Sequence, residues 1–134
     1  MSRSIHPSLI GSEFDHTVYE PVTQAEIDAY VAASGEPAPG PGIAPPTFVV
    51  SLRTRRFLPK DLLDLRLRGL DAGKDIEFGA PIRVGDRLES RSTVHDIYEK
   101  TGRSGSMRFI ILRTVITRST GERVATIDQK MMAR

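Results

Sequence analysis

Few side chains in this sequence could do chemistry. There are three histidines, His6, His16 and His95, and no cysteine. The lack of thiols excludes disulfides, thiolate metal sites and cysteine catalysis, and it fits a reducing compartment. The imidazoles are scattered. His6 stands in the N-terminal segment, His16 on a short alternating stretch and His95 in a long run of strand texture. Scattered in this way, they suit surface or packing roles better than a catalytic centre. Asp71, just before Gly73, reads as a turn residue rather than a base. Basic side chains gather at Arg53, Arg55, Arg56 and Lys60, and again at Arg66 and Arg68. Such a group is either a solvated face or a patch for an anionic ligand such as a coenzyme A phosphate. Nucleic acid is a poor fit. Zinc-finger ligands are missing, and five Phe, three Tyr and no Trp give no aromatic-rich RNA-binding signature.

The scaffold that must position these groups is small. A chain of 134 residues fits one domain over positions 1–134. At this size folding buries roughly 65–70% of the unfolded surface, enough for a core without staples. The net charge of +2 is mild. No apolar run approaches the roughly 20 residues of a membrane span. Met1 to Ser12 lacks the core of a signal peptide, so a soluble cytoplasmic protein is the expectation.

Local signals divide the chain. Phe14 to Tyr19 alternates like a short strand and stops at Pro21. Thr23-Gln24-Ala25-Glu26 is a capping box, and Ile27, Tyr30 and Val31 follow at helical spacing. Ser34-Gly35 is a stop signal, which predicts a helix over Gln24 to Ala33. Glu36 to Pro46 reads EPAPGPGIAPP, with five prolines and two glycines, and predicts a rigid extended connector. Thr47 to Phe57 is ambiguous. Phe48, Val49 and Val50 favour a strand, whereas Pro46 and the Phe48/Leu52 spacing favour a helix. A brief helical turn is expected at Lys60 to Asp64. From Leu65 on the texture is β, with alternation at Leu65, Leu67 and Gly69 and again at Ile76 and Phe78. A turn is expected at Gly85-Asp86 and a hairpin loop over Lys100 to Ser106. Met107 to Arg118 is the strongest strand. Phe109, Ile111 and Val115 lie on one side and Ile110, Leu112 and Ile116 on the other, which predicts burial of both faces. Val124 to Met131 is the return strand. A helix followed by a meander of antiparallel strands makes an α+β domain whose sheet edges need covering or pairing.

Three stretches in this order resemble the MaoC-like dehydratases, particularly the N-terminal half-type described as FAS1-like. They are the capped helix with Ala33-Ser34-Gly35-Glu36, then Ile43-Ala44-Pro45-Pro46-Thr47-Phe48, then Ile76 to Leu88 with its Pro81-Ile82-Arg83-Val84-Gly85-Asp86 core. The resemblance covers Ile10 to Met131. It implies a hot-dog fold, an antiparallel sheet wrapped around a central α-helix, and it places that helix at Thr47 to Phe57. It also implies edge-to-edge pairing of two hot dogs, as a homodimer or as a heterodimer with a catalytic MaoC-like subunit. The implied chemistry is hydration of trans-2-enoyl thioesters, or the reverse, on coenzyme A or acyl carrier protein. No metal or redox cofactor, membrane or nucleic acid is implied.

Hydration at the β-carbon needs a general base for water and donors for the developing enolate oxygen. Active members of the family supply the base from an Asp-x-Asn-Pro-x-His motif after the first helix. Carried onto this chain, that motif falls on Glu36-Pro37-Ala38-Pro39-Gly40-Pro41. Glu36 stands for the Asp, Ala38 for the Asn and Pro41 for the His, while Pro39 matches. The connector to Ala44 is also shorter than in the family. The resemblance therefore implies a degenerate, non-catalytic half of a pair, with Thr47, Phe48 and Arg53 contacting substrate and Val49 and Leu52 lining a channel or simply filling the core. Two alternatives stay open. One is a stand-alone hydratase or acyl-CoA thioesterase with Glu36 as catalytic base; the other is an acyl-thioester binding module without chemistry.

Overall fold

The computed structural model of the chain describes residues 6–62 and 69–133. The expected alternation at Leu65 and Leu67, and Arg66 and Arg68 between and after them, lie outside the described residues. Five strands form one antiparallel sheet: β1 (Glu13–Val18), β2 (Leu70–Phe78), β3 (Leu88–Gly102), β4 (Gly105–Arg118) and β5 (Arg123–Ala133). Their order across the sheet is β1-β3-β4-β5-β2, so β1 and β2 are the edges. A two-residue turn between Gly102 and Gly105 joins β3 to β4, inside the expected loop. The register of β3 on β4 shifts at Val94/Asp96, and that of β4 on β5 at Ile116/Thr117. Such bulges raise local twist and let a sheet curl.

The capping box forms as the sequence predicts. The Glu26 amide donates to Thr23 Oγ1 (3.1 Å), and the Thr23 amide donates to Glu26 Oε1 (3.0 Å). The helix α1 spans Gln24–Ser34 and ends on Gly35 at φ 75°, a left-handed cap that glycine adopts without penalty. Among the described residues, no helix is long and apolar enough to cross a membrane.

The central helix is shorter than expected. In place of an α-helix over Thr47 to Phe57 there is a 3-10 helix at Pro46–Ser51, after which Leu52 is extended. Local chemistry accounts for this. Pro45 offers no side-chain cap, Val49 and Val50 are β-branched, and Ser51 Oγ bonds back to the Phe48 carbonyl at 2.6 Å. Strand propensity thus survives in the second half of the segment. A second short 3-10 turn occupies Lys60–Leu62.

The core lies on the concave face in two clusters. One joins Val22, Ile27, Phe48 and Val49 to Leu88, Ile116 and Val124 of the sheet. The other joins Leu58 and Leu62 to Val94, Ile110, Leu112 and Met131. Polar residues on the same face part them: Ser92 opposes Thr114, and their hydroxyls bond at 2.8 Å. The opposite face of β4 departs from expectation. Ile110, Leu112 and Ile116 are buried, but Phe109, Ile111 and Val115 are only half-buried. Among the described residues neither buried cluster includes a residue of that side, where Arg113 and Asp128 form a two-bonded ion pair (2.8 and 2.8 Å).

Candidate functional site

The proline-rich connector is held against the segment that follows β2. Ala44 N donates to Ile82 O (2.9 Å) and Val84 N to Gly42 O (2.9 Å). Two of the three stretches that carry the resemblance are therefore neighbours in space. The Gly85-Asp86 turn closes this unit. Asp86 Oδ2 accepts from Arg83 N (2.8 Å) and pairs with Arg118 Nε (3.1 Å), and Arg118 also donates to the Pro81 carbonyl.

Glu36 and Thr47 meet. Thr47 Oγ1 donates to Glu36 Oε2 (2.8 Å), and Tyr30 OH lies 2.6 Å from Thr47 Oγ1. The Tyr30 ring stands edge-on to Phe48, with centroids 5.6 Å apart. Tyr30 had been visible in the sequence only as an apolar residue of the helix stripe. Because Thr47 donates to Glu36, its hydroxyl is left as an acceptor for Tyr30. Replacing Thr47 by valine removes both bonds at a half-buried carboxylate. The expected cost is about 1–2 kcal/mol in urea unfolding, with most of it restored by Thr47→Ser.

The cavity that opens between the two core clusters has a volume of about 470 Å³. Its apolar wall includes Val49, Leu52, Leu112 and Ile116, and its polar wall includes Tyr19, Ser92, Thr114 and Gln129. Arg53, Arg56 and Lys74 bring three cations to it. Among the described residues none of the three is ion-paired. Burial pushes the Tyr19 phenol up, against the opposing effect of its bond to Ser90, so it stays a proton carrier. The arginine segment is fastened by its backbone to β1. Buried Asp15 accepts from Arg56 N (2.8 Å), and Thr17 Oγ1 accepts from Arg55 N (3.1 Å) while donating to Asp15 (2.6 Å). Sequence reasoning missed Asp15 and Thr17. Their positions on the inward side of an alternating strand were the available signal.

Among the described residues, the cavity lining contains no carboxylate and no imidazole. Arg53 and Val49 line it; Glu36, Thr47 and Phe48 do not. Phe48 is core, 3% exposed. His16 does contact a carboxylate, with Nε2 2.8 Å from Glu89 Oε2. That pair sits on the outer side of β1 and β3, because Asp15 and Thr17 take the inward positions. The His16 bond holds the Glu89 carboxyl below its usual range. His95 is exposed at the bulge in β3, and His6 is exposed beside Ser8. Asp71 lies at a bulge inside β2 rather than in a turn, where its side chain accepts from Gly73 N (3.0 Å) and Gln129.

Residues 8–127 match the model of the family described as the FAS1-like, dehydratase domain region. No curated protein matches the sequence. Three solved structures illustrate the likeness in fold. The ChsH1-ChsH2 complex from Mycobacterium tuberculosis is 17% identical with a TM-score of 0.69, covering 92% of this chain and 83% of that one. A MaoC-like dehydratase from Rhodospirillum rubrum is 22% identical with a TM-score of 0.65, covering 92% and 91%. The C-terminally truncated HadBC (3R-hydroxyacyl-ACP dehydratase) complex from Mycobacterium tuberculosis is 18% identical with a TM-score of 0.61, covering 92% and 100%. The fold is the hot dog that the resemblance implied.

Proposed function

We propose, on the premise that the chain belongs to the FAS1-like dehydratase-region family, that it handles a fatty acyl thioester as the non-catalytic half of a hydratase/dehydratase pair. One observation carries this reading: the cavity offers cations, hydroxyls and apolar walls, but among the described residues no group in its lining can take a proton from water. Arg53, Arg56 and Lys74 suit the phosphates of coenzyme A or the phosphopantetheine of an acyl carrier protein. The base would come from a second hot dog carrying Asp-x-Asn-Pro-x-His. Two of the similar structures, ChsH1-ChsH2 and HadBC, are complexes, which supports a partner subunit. Edge strand β2 supports pairing, since it bonds to β5 on one side only among the described residues. A second copy of this chain could occupy that edge as well. The reaction calls for no metal or redox cofactor.

A second reading keeps Glu36 as a lone base for hydration or thioester hydrolysis. It draws on the half-buried carboxylate, whose Oε2 is oriented by Thr47 while Oε1 has no bond among the described residues. One experiment separates the two. The purified chain is mixed with a trans-2-enoyl-CoA, and enoyl absorbance and free thiol are followed. The expected outcome is no change with the chain alone and turnover once a partner with the intact motif is added. Turnover without a partner, abolished by Glu36→Ala, would establish the lone-base enzyme instead. If the chain binds the thioester yet adds nothing to the partner's rate, it is a binding module.

A further inference from the structure

We propose that Val49 divides the ligand site into two compartments, one carrying cations that takes the pantetheine-phosphate arm of the thioester and one wholly apolar among the described residues that takes its alkyl tail. The proposal rests on the acyl-thioester reading above and goes on to assign which part of the ligand lies where.

A second cavity, of about 310 Å³, lies between the proline-rich connector and the segment after β2. Ile43, Ala44, Pro45, Ala80, Ile82 and Val124 are among its walls, and no described residue of its lining carries an ionisable or hydroxyl side chain. The larger cavity is mixed: beside its apolar wall it carries Arg53, Arg56 and Lys74 and the polar side chains of Ser92, Thr114 and Gln129, groups of kinds that the smaller one does not show. Among the described residues Val49 alone lines both, and it is 1% exposed. Each volume falls in the range of about 300–1,000 Å³ typical of small-ligand sites.

An acyl thioester of a phosphopantetheine carrier has an apolar end, a thioester, and an amide-rich arm ending in phosphate. Laid in the larger cavity, an alkyl tail would strip water from three cations that have no ion pair among the described residues, and would return no bond. Laid in the smaller one, a phosphate would lose its hydration with no donor to replace it. The two penalties orient the ligand the same way, with the tail among the prolines and the arm among the cations. The thioester then crosses beside Val49, two residues from the Thr47–Glu36 bond. Val49 would set how much bulk passes at the α-carbon, and the Pro39–Pro46 connector would set the room for the tail.

The test is calorimetric titration of the full chain with coenzyme A, octanoyl-CoA and 2-methyloctanoyl-CoA. Wild type should bind octanoyl-CoA at least tenfold more tightly than coenzyme A. Ala80→Asp, which places a charge in the apolar compartment alone, should bring octanoyl-CoA down to the affinity of coenzyme A. Lys74→Glu should weaken both ligands by a similar factor. Val49→Ala should raise the affinity for the α-branched probe at least fivefold relative to octanoyl-CoA. If the advantage of the tail survives Ala80→Asp, or if Lys74→Glu abolishes only that advantage, the assignment is overturned while the acyl-thioester reading stands. Failure of wild type to bind either octanoyl-CoA or coenzyme A would overturn both. Should Val49→Ala not fold, as judged by circular dichroism, the Ala80 and Lys74 variants still decide the assignment.

Discussion

Replacing Phe48 by alanine should destabilise the protein by about 3–4 kcal/mol and lower Tm by roughly 10–15 °C. The side chain is 3% exposed and packs in the cluster that links α1 to the sheet. Truncation removes its transfer free energy and leaves a void that the sheet cannot close, since Leu88, Ile116 and Val124 are held by strand pairing. The edge-on contact with Tyr30 is lost as well, worth about 0.5–1.5 kcal/mol beyond burial. Tyr30 also touches Thr47, which holds Glu36. The cost should therefore not add simply to that of Thr47→Val. A double-mutant cycle by urea unfolding should find coupling of at least about 0.5 kcal/mol between the two sites. Phe48→Leu, which fills most of the volume, should cost less than about 1.5 kcal/mol. If Phe48→Ala cost no more than Phe48→Leu, the residue would be facing the ligand rather than the core.

What could be read in the sequence was whatever depends on near neighbours. The capping box, its glycine stop and the hairpin at Gly102–Gly105 each need only a few adjacent residues, and each forms. The central helix was harder, because Thr47 to Phe57 carries two conflicting preferences. The chain resolves them by two 3-10 turns over Pro46–Ser51 that end on an extended Leu52. The outer face of β4 misled for a different reason. Its apolar residues look buried by pattern, but what covers them cannot be read from one strand. At the site, Arg53 was accessible as part of a charge cluster, and Glu36 with Thr47 through the resemblance. Lys74 and Gln129 were not. They reach the cavity only because β2 pairs with β5 in a register that sets Lys74 opposite Gln129. Strand order across a sheet is a long-range property, and no local spacing in this chain encodes it.

Among the described glycines Gly79 should be the one where an added methyl does most damage, with Gly79→Ala costing about 2–3 kcal/mol. Gly79 ends the run out of β2 and lies against the start of β5. Its amide donates to Val124 O (2.7 Å), and the next amide, of Ala80, donates to Arg123 O (3.0 Å). A Cβ at position 79 would collide with that same Arg123 carbonyl oxygen. The obstacle is backbone rather than a flexible side-chain end, so no rotamer change relieves it. Separation of the two segments would stretch the bonds that hold Phe78 to Ile82, which form one wall of the apolar compartment. Those residues cannot retreat easily, because Ile82 O accepts from Ala44 N and Pro81 O accepts from Arg118. Gly102 supplies the control. An added Cβ there meets nothing, so Gly102→Ala should stay within about 0.5 kcal/mol of wild type. Urea midpoints of the two variants give the comparison directly. Equal midpoints would mean that β2 and β5 part without cost at Gly79, and that the wall of the apolar compartment is not fixed by this contact.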